Sequence, residues 1–181
     1  MDAPEPSERQ RILQAALDEV IAKGIDGLSE QGIAARAGID PRIIFQTWGD
    51  WRALFMEAAL TDARQRFPAP DTGSLRGDLL EVVERLCTVP ERGWFRRMLA
   101  TNQDIDLSEI RADYWTVRAQ DFAPIFQRAA ERGEVRDDVD PLDTIRMFTS
   151  ACLYDVIFLG GPIRRDYATQ LVDVFIRGTR R

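Results

Sequence analysis

Histidine is absent from all 181 residues. That removes His-based triads, His general bases and His metal ligands. Lysine is nearly absent too: Lys23 is the only one, at an expected helix end. Cys87 and Cys152 are too few for a disulfide framework or a zinc site. They read as buried free thiols, the usual state of free cysteine, with a redox switch as the alternative. No apolar run reaches the ~20 residues that span a bilayer. The opening MDAPEPSER lacks the basic-then-apolar pattern of a signal peptide. A cytoplasmic location without a membrane partner is expected. No nucleophile is placed beside a base, and Asp104 and Asp106 read better as a cap and loop cluster than as a catalytic pair. Neither an enzyme nor a cofactor or metal site is expected.

The net charge of −6 argues against a generic polyanion binder. Even the N-terminal third is acidic, with eight basic and eleven acidic side chains in residues 1–66. Any nucleic-acid contact must therefore rest on a local cationic face, for which Arg36, Arg42 and Arg52 are the candidates.

What the chain does contain is a dense set of helix signals. Leu28 to Phe55 reads as two short helices about a glycine turn, followed at once by a third. Ser29 is an N-cap, and Leu28 can staple against Ile33. Gly38 follows Ala37, where a left-handed residue ends a helix. Asp40 caps the next helix and Pro41 occupies its first position; Ile39 and Ile44 repeat the staple. Asp50 caps the third. Small residues at Ala34, Ala35, Ala37 and Gly38 let the helices approach closely. This is the construction of a helix-turn-helix DNA reader; an ordinary helical hairpin is the alternative.

Upstream, Ser7 and Gln10 form a capping-box pattern. Ile12, Leu13, Ala16, Leu17, Val20 and Ile21 then recur at helical spacing until Gly24. The segment from Pro68 to Ser74 is rich in turn formers and marks a boundary. Beyond it, helices are expected from Leu75 to Cys87, around Trp94–Leu99, and from Ser108 to Arg132 with a kink at Pro124. Two more are expected from Asp140–Pro141 to the Gly160–Pro162 stop, and from Asp166 to Arg177. The fold class is all-α, with an N-terminal helix-turn-helix bundle (residues 1–67) and a C-terminal helical domain (residues 68–181).

From Glu8 to Leu60 the sequence resembles the TetR family of transcriptional regulators. The resemblance rests on RILQAAL, Gly24, Leu28–Ser29, GIAARAGI, Phe45, Trp48 and Leu54. AAERGEVRDDVDP, followed by two terminal helices with GGP between them, is similar to one common C-terminal type. The resemblance implies a homodimer with two reading heads, a double-stranded palindromic operator, and a helical core that binds a small apolar effector. Effector binding would release DNA by shifting an equilibrium. A repressor is the expected role. Three positions depart from the family pattern: Phe45 replaces a tyrosine, Trp51 a lysine, and Asp40 a serine or threonine. Each weakens sequence-independent attraction to phosphate. The alternative is a relative with lost or weakened DNA binding, acting as a small-molecule or protein-binding module.

Within the reading helix, Ile44, Phe45 and Trp48 are expected inside and Pro41, Arg42, Ile43, Gln46 and Thr47 outside. Arg42 and Gln46, four apart, share a face and suit guanine and adenine. Ser29, Gln31, Arg36 and Arg52 are placed for phosphates, and Arg9 and Arg11 either join them or form a solvated tail. An apolar effector pocket is expected from Trp94, Phe95, Met98, Tyr114, Trp115, Phe122, Phe126, Met147 and Phe148, with Asn102, Gln103 and Asp104 adding polarity; plain core packing is the alternative. The last two helices are apolar on more than one side. Leu153, Tyr154, Ile157, Leu171, Val172 and Phe175 are therefore candidates for a two-fold interface, against burial within the monomer.

Overall fold

The computed structural model describes residues 4–88, 93–99, 105–159 and 161–181, with backbone alone over 105–108. Ten α-helices account for most of them: α1 Pro6–Lys23, α2 Glu30–Ala37, α3 Pro41–Trp48, α4 Trp51–Arg66, α5 Leu75–Cys87, α6 Trp94–Leu99, α7 Ile105–Phe122, α8 Pro124–Glu131, α9 Pro141–Phe158 and α10 Arg165–Thr179. The all-α expectation holds.

Most boundaries follow the local chemistry read from the sequence. The Ser74 side chain accepts from Gly77 N at the start of α5, and that of Asp140 from Asp143 N at the start of α9. Gly24, at φ 78°, ends α1. Two starts differ from expectation. Helix α1 begins at Pro6, after Glu5, without the Ser7 capping box. Proline at the first position already supplies helical φ, and its missing N–H has no partner to lose. The long helix expected over Ser108–Arg132 is two helices. Pro124 has no N–H to continue the ladder and its ring crowds the preceding turn. Ala123 still bonds to Ala119 O at 2.9 Å, and α8 starts from there. It stops at Gly133, φ 72°, where Gly133 N reaches Ala130 O and Glu134 N reaches Ala129 O.

The chain divides into two compact units. One groups Met1–Gln65 with Pro90–Tyr114, the other Arg66–Val89 with Trp115–Arg181. Helix α6 and the start of α7 belong with the N-terminal unit because Trp94 is committed there. Its ring meets Phe55 edge-on at 6.1 Å and Tyr114 at 5.9 Å, and its Nε1 donates to Asp62 at 2.9 Å.

The core of the first unit joins Ile12, Ala16 and Val20 of α1 to Ile33, Ile44, Leu54, Phe55 and Met98, all fully or nearly fully buried. That of the second joins Leu79, Val82 and Val83 to Ile125, Phe126, Ile145, Phe148, Cys152 and Val172. Within the second unit, three arginines from three helices grip the segment before α5. Arg118 of α7 donates to Phe67 O at 2.8 Å, Arg85 of α5 to Pro68 O at 2.6 Å, and Arg128 of α8 to Pro70 O. Asp78, fully buried, accepts from both the amide and the hydroxyl of Thr72. The turn-rich segment before α5 is thus fixed through the carbonyls of residues 67, 68 and 70.

Candidate nucleic-acid interface

The helix-turn-helix geometry is built as the caps dictate. Ser29 Oγ accepts from Gly32 N at 3.1 Å and opens α2. Gly38 adopts the left-handed conformation, φ 68° and ψ 40°, and closes it. Asp40 Oδ1 accepts from Arg42 N at 2.9 Å and starts α3 with Pro41 at its first turn. Asp50 Oδ1 accepts from Ala53 N at 2.9 Å and starts α4.

Beneath this surface lies a buried carboxylate. Glu19 of α1, 2 % exposed, receives Nε and Nη2 of Arg36 at 3.0 and 2.9 Å and also meets Lys23. Its contact with Lys23, reinforced by Arg36, holds its carboxyl below the usual range against the opposing effect of burial. A Cβ at Gly32 would overlap Glu19 Oε1, so glycine is what lets α2 close over the carboxylate. A second pin joins α1, α3 and α4. Arg9 pairs with both oxygens of Glu57 at 2.7 and 2.6 Å and lies 4.8 Å from the Trp48 ring centre, and Trp48 Nε1 donates to Glu57 at 2.8 Å. Sequence reading missed both glutamates. The signal for Glu19 was present: it falls on the apolar stripe of Ile12, Ala15 and Ala16, four residues before the only lysine.

These pins sort the expected phosphate ligands. Arg36 and Arg9 are engaged by carboxylates, and Arg11 contacts Glu8 at 3.4 Å. The Ser29 hydroxyl is engaged as a cap. Gln31 is exposed. Arg52 is exposed, stacks on Trp51 at 4.8 Å and stands 4.0 Å from Asp50. The Arg42 guanidinium is exposed and makes no ion pair among the described residues.

On α3, Ile44 is fully buried, and Pro41, Arg42 and Gln46 face outward as expected. Ile43 and Thr47 are half-buried, and so only partly open to a ligand. Phe45 corrects the expectation: it is 68 % exposed. One residue on from Ile44 is a rotation of about 100°. The inward arc of this two-turn helix is filled by Ile44, Trp48 and Thr47, leaving Phe45 outside.

The expected pocket residues do not gather in one unit. Trp94, Phe95, Met98 and Tyr114 lie in the first, with Trp94 and Phe95 edge-on at 5.8 Å. Trp115, Phe122, Phe126, Met147 and Phe148 lie in the second. Phe126 and Phe148 are fully buried in its core, whereas Met147 is 64 % exposed and lines no interior of that unit. The stripe Ile145–Phe148–Cys152 faces inward, which turns Met147 to the opposite side. Asn102, Gln103 and Asp104 lie outside the described residues, as does the side chain of Asp106. Of the interface candidates, Leu153 and Val172 are buried in their own unit, and Leu171 and Phe175 pack against its core. Tyr154 and Ile157 are exposed, and Phe158, Leu159 and Val174 join them.

Comparison with known proteins matches this architecture. The family model described as "Tetracyclin repressor-like, C-terminal domain" matches residues 69–175. The DNA-binding transcriptional repressor TetR of Mycobacteroides abscessus is 31 % identical over 169 residues, covering 90 % of this chain and 88 % of that one. The uncharacterized HTH-type transcriptional regulator YdeS of Bacillus subtilis is 26 % identical, with 93 % and 88 % covered. The crystal structure of the TetR family transcription regulator SCO0332 superposes with a TM-score of 0.76 at 23 % identity, covering 97 % of this chain and 100 % of that one. With its capped helix-turn-helix and matching C-terminal half, the chain belongs to the TetR family of DNA-binding transcriptional regulators, which are not enzymes.

Proposed function

We propose that this regulator is a ligand-responsive repressor that reads a palindromic operator as a homodimer. Residues 1–67 act as the reading head, and residues 68–181 carry effector binding and dimerisation. The supporting observation is the outward edge of α3. Arg42 and Gln46 are exposed one turn apart on a helix fixed by caps at its start, and Arg42 has no ion pair among the described residues while Arg9 and Arg36 are held by glutamates. Arg42 then reads guanine and Gln46 adenine in the major groove. Gln31, Arg52 and the N-terminus of α2 meet phosphates.

The exposed apolar residues Tyr154, Ile157 and Phe158 of α9, with Leu159 just after it, support a two-fold partner. A Phe158→Asp variant is expected to sediment as a monomer where the parent protein is a dimer. Trp115 and Phe122 of α7, both in the second unit, are candidates for effector contact.

Selection of genomic fragments by the purified protein tests the whole reading. A palindromic site beside the protein's own gene, bound less tightly as salt rises, is the expected result. Failure to retain any genomic duplex at low salt contradicts it.

A further inference from the structure

Resting on α3 as the reading helix, we propose that Phe45 is a specificity-determining residue whose ring contacts the 5-methyl groups of thymine beside the bases read by Arg42 and Gln46. The outward side of α3 carries two parallel edges. One is polar, Arg42 and Gln46; the other is apolar, Pro41 and Phe45, also four residues apart and both exposed. Phe45 makes no ring contact among the described residues, so packing within its own unit does not account for it. The phenyl ring has no donor, and it can neither fix a phosphate nor hydrogen-bond a base edge. The apolar feature that a base pair presents in the major groove is the thymine methyl, and phenylalanine is among the side chains that contact it.

The operator should therefore carry thymine next to the guanine or adenine contacted by the polar edge. The test uses a duplex recovered by selection from a random library, remade with thymine replaced by uracil at one position at a time. Uracil keeps every hydrogen-bonding group and lacks only the methyl. The parent protein is expected to bind about fourfold more weakly at the contacted position, the effect of one buried methyl at about 0.8 kcal/mol. Phe45→Ala should bind the thymine and uracil duplexes equally, and Phe45→Tyr, which keeps the ring, should retain the difference. Because the side chain is exposed, both variants should melt with the parent protein.

Indifference of the parent protein to uracil at every position overturns the proposal and leaves α3 as the reader. So does a full uracil effect in Phe45→Ala. Recovery of no duplex at all is a distinct outcome; it removes the α3 reading itself, and this proposal with it.

Discussion

Arginine is put to different uses in the two units, although the second also pairs Arg76 with Asp173 and Arg165 with Glu84 across helices. In the second, Arg118, Arg85 and Arg128 hold backbone: three guanidiniums donate to the carbonyls of residues 67, 68 and 70. In the first, Arg36 and Arg9 hold carboxylates from another helix, and Arg42 holds nothing among the described residues. An arginine that donates to a buried carbonyl or carboxylate is architecture, and its loss leaves a polar group unsatisfied. An arginine on a rigid helix with no internal partner is available to a ligand. Composition alone cannot separate these roles, because all are arginines in an acidic chain. Their partners do.

The largest stability effect is expected at Arg118, which is 4 % exposed, bonded to Phe67 O and Asp121, and stacked 4.5 Å from the Phe122 ring centre. Arg118→Ala should cost about 3 kcal/mol, read as a lowered denaturant midpoint. An unchanged midpoint would dissolve the architectural half of the comparison.

Gly32→Ala comes next. The added carbon meets Oε1 of Glu19, a buried carboxylate held by Lys23 through Oε1 and by Arg36 through Oε2, so a loss of about 2 kcal/mol is expected from overpacking.

Glu19→Gln should cost about 1 kcal/mol at neutral pH and change the acid limb of stability. The sign follows from the lowered carboxyl of Glu19. A carboxylate that binds protons less readily when folded stabilises above its unfolded value of about 4.3, and that contribution fades as pH falls through the folded value. Urea midpoints measured from neutrality down to acid should converge for the two proteins as pH falls through the lowered folded value of Glu19. A constant offset across that range would show that the ion pairs contribute nothing.

At the small end stands Arg42→Ala, expected to change folding stability by less than about 0.5 kcal/mol because its exposed guanidinium makes no hydrogen bond or ion pair among the described residues. A large loss would place Arg42 among the architectural arginines.

The fold was readable because its punctuation is local. Ser29, Asp40, Asp50 and Asp140 act as caps through their own side chains, and Gly24, Gly38 and Gly133 through their own φ. Those properties do not depend on distant residues. The site was less readable because it depends on which partners come together in space. Arg36 carries the same charge in the sequence whether or not Glu19, 17 residues away, claims it. Hydrophobicity points Phe45 inward, yet a two-turn helix has room on its inward arc for few large side chains, and Ile44 and the half-buried Trp48 take it. Leu153 and Val172 were assigned to an interface by an apolar pattern that fits internal burial equally well. The spacing of Ile145, Phe148, Cys152 and Val156 extends to Leu159, yet α9 ends at Phe158, and both Phe158 and Leu159 are exposed.

The most direct test of α3 as the reading helix compares the affinity of the parent protein and Arg42→Ala for every single-base-pair variant of the selected site. Symmetric loss of discrimination is predicted at one base pair in each half-site, worth about 1–3 kcal/mol, with the preferences elsewhere intact. An Arg42→Ala profile that matches the parent protein at every position would contradict the account.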